Sequence, residues 1–168
     1  MSENVSVINN VLSIDLCHEL IDKYKQTPHC NRTNKTIWNE NIIHHSNYVL
    51  VNDLNNHERN RVLQHVFKAL PEYSDDNIHA MFYRWTKFSY IPPHDDYHVD
   101  YAITIHLNAN YTASQGGVFM YKEQDDVHWT GVEPVFNRLV CNKNHVTHWV
   151  TPVTSNEDRY SLQIFAIK

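Results

Sequence analysis

The residues of this chain best suited to chemistry are His94-x-Asp96 and the distant His148. A His-x-Asp on an extended stretch presents both side chains on one face, because strand side chains repeat every second residue. A third ligand from elsewhere in the chain would complete the two-histidine, one-carboxylate facial set that suits non-haem iron(II) and leaves positions open. Arg159 and Ser161 share a strand face in the same way, a guanidinium and a hydroxyl matched to a buried carboxylate. Two alternatives compete for the metal. His98-Val99-Asp100 is a second His-x-Asp, and His145 lies just before His148.

These residues need elements to hold them. Ser13 can cap a helix carrying Leu16, Leu20, Ile21 and Tyr24 on one stripe, with Pro28 beyond its end. Val62, Leu63, Val66, Phe67 and Leu70 predict a second helix, stopped by Pro71. Between them Ile42–Val51 reads as a strand. From Ile78 the pattern turns to short β runs at Ile78–Tyr90, Tyr101–Leu107, Val118–Tyr121, Arg138–Cys141, His148–Val150 and Tyr160–Ile167. Turn chemistry separates them at Gly116-Gly117, Thr130-Gly131, Asn142-Lys143-Asn144 and Ser155-Asn156. On Tyr101–Leu107, Ala102, Thr104 and His106 point one way and Ile103, Ile105 and Leu107 the other. Two helices followed by many short strands predict a β sandwich or barrel braced on one face by helices.

Composition narrows the function. The 168 residues suit one domain that buries roughly two-thirds of its unfolded surface. The net charge of -5, with no Lys/Arg-rich stripe, argues against a nucleic-acid partner. No apolar run is long enough for a bilayer and the start has no signal pattern, so a cytoplasmic protein is expected, as a monomer or weak homodimer. Asparagine richness hints at an AT-rich viral or phage genome. Cys17, Cys30 and Cys141 are scattered and odd in number, which predicts reduced thiols. Of 13 histidines most must be surface or core residues, so only position in a pattern singles any out. With 3 glycines there is no phosphate-cradling loop, and no Gly-x-Ser-x-Gly is present.

Several segments occur in an order that resembles the iron(II)- and 2-oxoglutarate-dependent dioxygenases, especially their prolyl 4-hydroxylase-like branch. They are His94-Asp95-Asp96, Ala102 to Asn108, Gly116-Gly117-Val118-Phe119, His148 to Val153, and Arg159-Tyr160-Ser161-Leu162. Asn10 to Ser13, running into Cys17 to Ile21, resembles the branch's first helix, so the likeness spans nearly the whole chain. It implies a double-stranded β-helix (jelly roll) over about 78–168, supported by an N-terminal helical part over about 1–72. It also implies a mechanism: 2-oxoglutarate and O2 are consumed at Fe(II), succinate and carbon dioxide form, and a C–H bond is hydroxylated.

The resemblance favours His94, Asp96 and His148 as ligands. Tyr97–Asp100 then supplies the loop that the branch places before its Thr-x-x-Leu-Asn strand, while His145 follows a turn and reads as solvated. Arg159 and Ser161 fall where the family binds the far carboxylate of the co-substrate. His106 stands where family members often have a tyrosine; protonated, it would make co-substrate affinity depend on pH. Tyr83 is a candidate for the compensating hydroxyl. Tyr97, Trp129 and Trp149 are expected near the mouth, where they could pack against a proline ring. The implied substrate is a prolyl residue in a peptide or protein. The alternatives are a small molecule or free amino acid, a cupin-like metal-binding protein without 2-oxoglutarate chemistry, and an inactive relative.

Overall fold

The computed structural model describes residues 4–28, 49–73, 77–123, 126–143 and 145–167. Among the described residues, ten strands and two α-helices follow in the order β1 (Val5–Asn9), α1 (Ile14–Gln26), β2 (Val49–Asp53), α2 (Asn56–Ala69), β3 (Ile78–Trp85) and β4 (Ile91–His94). After these come β5 (Val99–His106), β6 (Phe119–Lys122), β7 (Thr130–Val132), β8 (Arg138–Lys143), β9 (Thr147–Val150) and β10 (Arg159–Ile167). Ladder pairing is antiparallel throughout. The strands make a six-stranded sheet, β1-β8-β5-β10-β3-β2, and a four-stranded sheet, β4-β9-β6-β7. This is the jelly roll.

Both helices form for the reasons legible in their sequences. Ser13 caps α1 by accepting from the Leu16 N–H. Asn55 and Glu58 close a reciprocal capping box on α2, satisfying two backbone donors at that end. Glu58 is buried and also takes Lys23 Nζ and the Tyr24 hydroxyl, which ties the helices together. Their apolar faces, including Leu16, Leu20, Val62 and Val66, join Phe82, Ile103, Ile105, Leu139 and Leu162 in one core. The opposite face of the large sheet meets the small sheet through Val51, Met81, Tyr83, Ala102, Phe119, Val140, Val150 and Phe165. The large sheet is therefore covered on both sides, by helices and by a second sheet.

Some expected boundaries move. Strand Ile78–Tyr90 ends at Trp85, because Thr86–Ser89 turns, with Phe88 at φ 69° and the Ser89 N–H on the Thr86 carbonyl. The chain then starts β4, whose prolines are tolerated because β4 is an edge strand paired only to β9. Thr130-Gly131, read as a turn, opens β7, and Asn142-Lys143 belong to β8. Pairing with neighbours overrides turn propensity at both places. β1 lacked a sequence signal, and β2 runs beyond the expected Val51 to Asp53. Residues 42–48 of that expected strand, Cys30 and Asn144 lie outside the described residues. Cys17 and Cys141 are buried free thiols.

Gly116 is the tightest point of the loop joining β5 to β6. Its φ is +79°, and a Cβ there would sit 1.9 Å from the Pro152 carbonyl oxygen, a backbone atom with little room to give. Gly116→Ala should cost at least about 2 kcal/mol of stability, from left-handed strain plus the clash. Urea unfolding monitored by circular dichroism would measure it, and an unchanged midpoint would contradict this reading of the loop.

Candidate active site

Two neighbouring strands of the small sheet, β4 and β9, bring the metal-type residues together. His94 ends β4 and His148 lies on β9, and the two are directly opposed in the ladder. Asp96 follows as the chain leaves β4, and its backbone carbonyl accepts from the Val99 N–H. This turn lifts His98 and Asp100 off the face that a continuous strand would have given them. Asp96 Oδ1 lies 3.6 Å from His94 Nε2, and Oδ2 lies 3.4 Å from His148 Nε2. Among the described residues, His94, Asp96 and His148 are the group of three whose ligand atoms fall within 4.8 Å of one another. His145 is exposed.

The backbone sets both imidazole tautomers. His94 Nδ1 lies 2.9 Å from the Pro92 carbonyl, and His148 Nδ1 lies 2.9 Å from the Val146 carbonyl. A carbonyl only accepts, so each Nδ1 carries the proton and each Nε2 presents a lone pair toward Asp96. Phe119 stacks on His148 at 5.3 Å and limits its rotation. Burial, then the neighbouring His148, pulls His94 below its ordinary pKa against the opposing pull of Asp96, which favours the neutral ring that a metal needs. Two imidazoles with one carboxylate fit a divalent first-row ion.

The triad opens onto a cavity of about 420 Å³, its mouth included, between the two sheets. Tyr83, Trp85, Thr104, Asn142 and Gln163 line it beside apolar Ile91, Phe119, Val150 and Phe165. Tyr83 is buried, and burial followed by the nearby Asp96 charge holds its hydroxyl protonated by raising its pKa. Trp85, Gln163 and Asn142 were not expected here. Trp85 and Gln163 lie two residues from Tyr83 and Ser161, so strand alternation could have found them. Asn142 was hidden by its reading as a turn.

Arg159 is buried to 1 % exposure, with no acidic partner among the described residues. Its sequence neighbour Asp158 is engaged by Arg84, at 2.6 Å. The guanidinium lies 4.7 Å from the Trp85 ring, and Nη2 lies 3.0 Å from His106 Nδ1. Nε and Nη1 have no hydrogen-bond partner. Gly117 makes the space, since a Cβ there would meet Arg159 Cδ at 2.5 Å. Burial pushes the Arg159 pKa down to about 10, which still leaves it charged at neutral pH.

The groups around Arg159 are donors. Arginine only donates, so His106 Nδ1 accepts and its proton sits on Nε2, which is buried and unpartnered. Burial, then Arg159 and Arg138, hold His106 well below its ordinary value of 6.5. The ring is therefore neutral at physiological pH, so the pH dependence that a protonated His106 would bring does not arise there. With a folded pKa below the unfolded one, its effect is stability that is full above about pH 6.5 and is lost as pH falls further. Ser161 Oγ accepts from Trp85 Nε1 at 2.9 Å and from Gln163 Nε2 at 3.3 Å, leaving its own proton to give. A buried cation with two unpaired nitrogens of its own and two further donors beside it suits a carboxylate.

The aromatic residues expected at the mouth separate. Tyr97 is 77 % exposed, one residue past Asp96. Trp149 alternates with His148 on β9 and so takes the opposite strand face, where it meets Trp129 at 6.0 Å edge-on.

A buried, unpaired cation costs folding free energy, because burial strips its hydration without a compensating anion. Arg159→Met should therefore raise the stability of the ligand-free protein by about 1 kcal/mol or more. Thermal unfolding in metal- and carboxylate-free buffer would show a higher Tm. A Tm several degrees lower would mean that Trp85 and His106 already compensate the charge.

Comparison with known proteins places this geometry. The sequence profile of the 2OG-Fe(II) oxygenase superfamily matches residues 78–166. No curated protein matches the sequence. A prolyl-4-hydroxylase of Pseudomonas putida superposes with TM-score 0.70 at 16 % identity, over 98 % of this chain and 92 % of that one. A prolyl hydroxylase of Trichoplax adhaerens, in complex with a hypoxia inducible factor oxygen degradation domain peptide, gives 0.74 at 13 %, over 99 % and 84 %. HygX of Streptomyces hygroscopicus, with nickel and 2-oxoglutarate bound, gives 0.73 at 8 %, over 96 % and 82 %. At these identities the structural likeness speaks to fold, while the profile covers more than half of the chain, including all three triad residues, Arg159 and Ser161. The chain belongs to the 2OG-Fe(II) oxygenase superfamily and is a 2-oxoglutarate-dependent dioxygenase using Fe(II) and O2.

Proposed function

We propose that this dioxygenase hydroxylates a prolyl residue in a peptide or protein, with iron held by His94, Asp96 and His148 and 2-oxoglutarate anchored by Arg159. The observation that carries the site assignment is the buried, unmatched Arg159 beside the triad cavity. A metal-only cupin-like protein has no use for such a cation. The bound iron supplies oxygen activation coupled to decarboxylation of the co-substrate. This chain's residues bind, orient and exclude water.

His94 and His148 would offer Nε2 to the ion, their rings fixed by the Pro92 and Val146 carbonyls. Asp96 contributes the one negative charge. Arg159 Nη1 and Nε, the His106 Nε2–H and the Ser161 hydroxyl are the donors available to the distal carboxylate. Ile91, Phe119, Val150 and Phe165 supply the apolar part of the walls, which would help to exclude water. No protein nucleophile or general base is required.

The prolyl assignment draws support from fold likeness to prolyl hydroxylases, one of them seated on a peptide. Tyr97 supports it too, an exposed ring beside Asp96 able to receive a flat apolar group. Trp129 and Trp149, on the far face of β9, have no part in this reading. A net charge of -5 gives no general attraction to a phosphate backbone, which disfavours a nucleic-acid substrate. The small-molecule reading has its own support in the likeness to HygX, solved also with hygromycin B.

Succinate formation above the uncoupled background, measured across proline-containing peptides, free proline, other small molecules and methylated oligonucleotides, tests the assignment. Stimulation by the peptides is expected. Stimulation by small molecules alone would move the assignment to that class, and by oligonucleotides alone would defeat it.

A further inference from the structure

We infer that Asn108 is a positioning residue for the co-substrate anchor, acting as a side-chain splint across the backbone on either side of Arg159. The inference rests on Arg159 as that anchor and is independent of the primary substrate.

The need for a splint follows from the register. The β5–β10 ladder has its last paired residues at Ser161 and His106. Past that point the Leu107 N–H still donates to the Tyr160 carbonyl, at 3.1 Å, and the β5 backbone then leaves the sheet. Arg159 would be left supported on one edge only, by its pairing with Trp85 on β3. Asn108 fills the gap. Its Nδ2 donates to the Asp158 carbonyl at 2.9 Å, and its Oδ1 accepts from the Tyr160 N–H at 2.5 Å. A primary amide carries the donor and acceptor of a peptide group, so it continues the ladder after the main chain has departed.

The two bonds bracket Arg159, since Asp158 precedes it and Tyr160 follows it. They fix the backbone on both sides of the residue whose guanidinium packs on Trp85, a cavity-lining side chain, and bonds His106. The same splint holds Asp158 where Arg84 Nε and Nη2 engage its carboxylate, both at 2.6 Å, and so keeps that charge with Arg84. Asn108 touches neither the triad nor the cavity lining. Its two bonds reach only the backbone flanking Arg159, and that is the route by which it would act on co-substrate binding. A fork-shaped donor depends on aim more than a point charge does, so a small loss of order at residue 159 weakens carboxylate binding steeply.

The test compares wild type, Asn108→Ala and Arg159→Met for uncoupled turnover of 2-oxoglutarate to succinate, with Fe(II) affinity and Tm measured alongside. Asn108→Ala should raise the KM for 2-oxoglutarate by about tenfold, with kcat at saturation and Fe(II) affinity close to wild type. In the Arg159→Met background, Asn108→Ala should add little further loss, because the residue it positions is gone. If Asn108→Ala does not fold, Asn108→Ser carries the same prediction. An unchanged KM in a variant that folds, with Arg159→Met defective, would overturn this inference and leave the anchor standing. A drop in kcat and Fe(II) affinity without a KM change would reduce Asn108 to a structural role. A wild-type KM in Arg159→Met would remove the anchor itself, and this inference with it.

Discussion

A guanidinium buried without an acidic partner is the constraint around which this site is arranged. Arg159 loses its hydration on burial and recovers part of it from the Trp85 ring face and the His106 nitrogen. Two of its nitrogens remain unsatisfied. Several local choices follow from accommodating that charge. Gly117 must lack a side chain because Arg159 occupies its Cβ space. His106 must stay neutral to accept from Arg159, and its environment holds it so. Asp158 is paired with Arg84, and Ser161 is saturated as an acceptor. Each arrangement leaves donors waiting and removes the anions that would quench them.

The architecture divides the work between two sheets. The large sheet carries Arg159, the proposed anchor, on β10, with Trp85 on β3 and His106 on β5 beside it, and its other face is sealed by α1 and α2. The small sheet carries the metal donors at the β4–β9 end. Packing the sheets face to face sets the triad on one cavity wall and Trp85 and Gln163 on another, and these two contact Arg159 and Ser161. The edge position of β4 is part of this. Pro92 and Pro93 forgo ladder hydrogen bonds there, and the Pro92 carbonyl is thereby placed to orient His94.

Much of this was legible in the sequence, because period and spacing carry it. The first helix could be placed from its cap and stripe and the second from its stripe and Pro71, and the alternation along Tyr101–Leu107 put Ala102 and Thr104 on the cavity side and Ile103, Ile105 and Leu107 on the helix side. The choice of His94-x-Asp96 over His98-x-Asp100 needed the turn after Asp96, which only the resemblance supplied. Other features depended on contacts between distant residues. β1 and β7 are short and gain their identity from a neighbour's edge. The neutrality of His106 is set by burial and two arginines. The separation of Trp149 from the cavity was available from its alternation with His148, but proximity in sequence had placed it at the mouth.

The central claim is that one small diacid bridges the two sheets, with its distal carboxylate on Arg159 and its keto-acid end on an ion held by His94, Asp96 and His148. A crystal structure with Mn(II) standing in for Fe(II), and with 2-oxoglutarate bound, tests it most directly. The account predicts ligand distances of about 2.0–2.2 Å from the ion to those three residues, with the far carboxylate on Arg159 and within reach of His106 Nε2 and Ser161. An ion on His98 and Asp100, or a carboxylate seated away from Arg159, would contradict it.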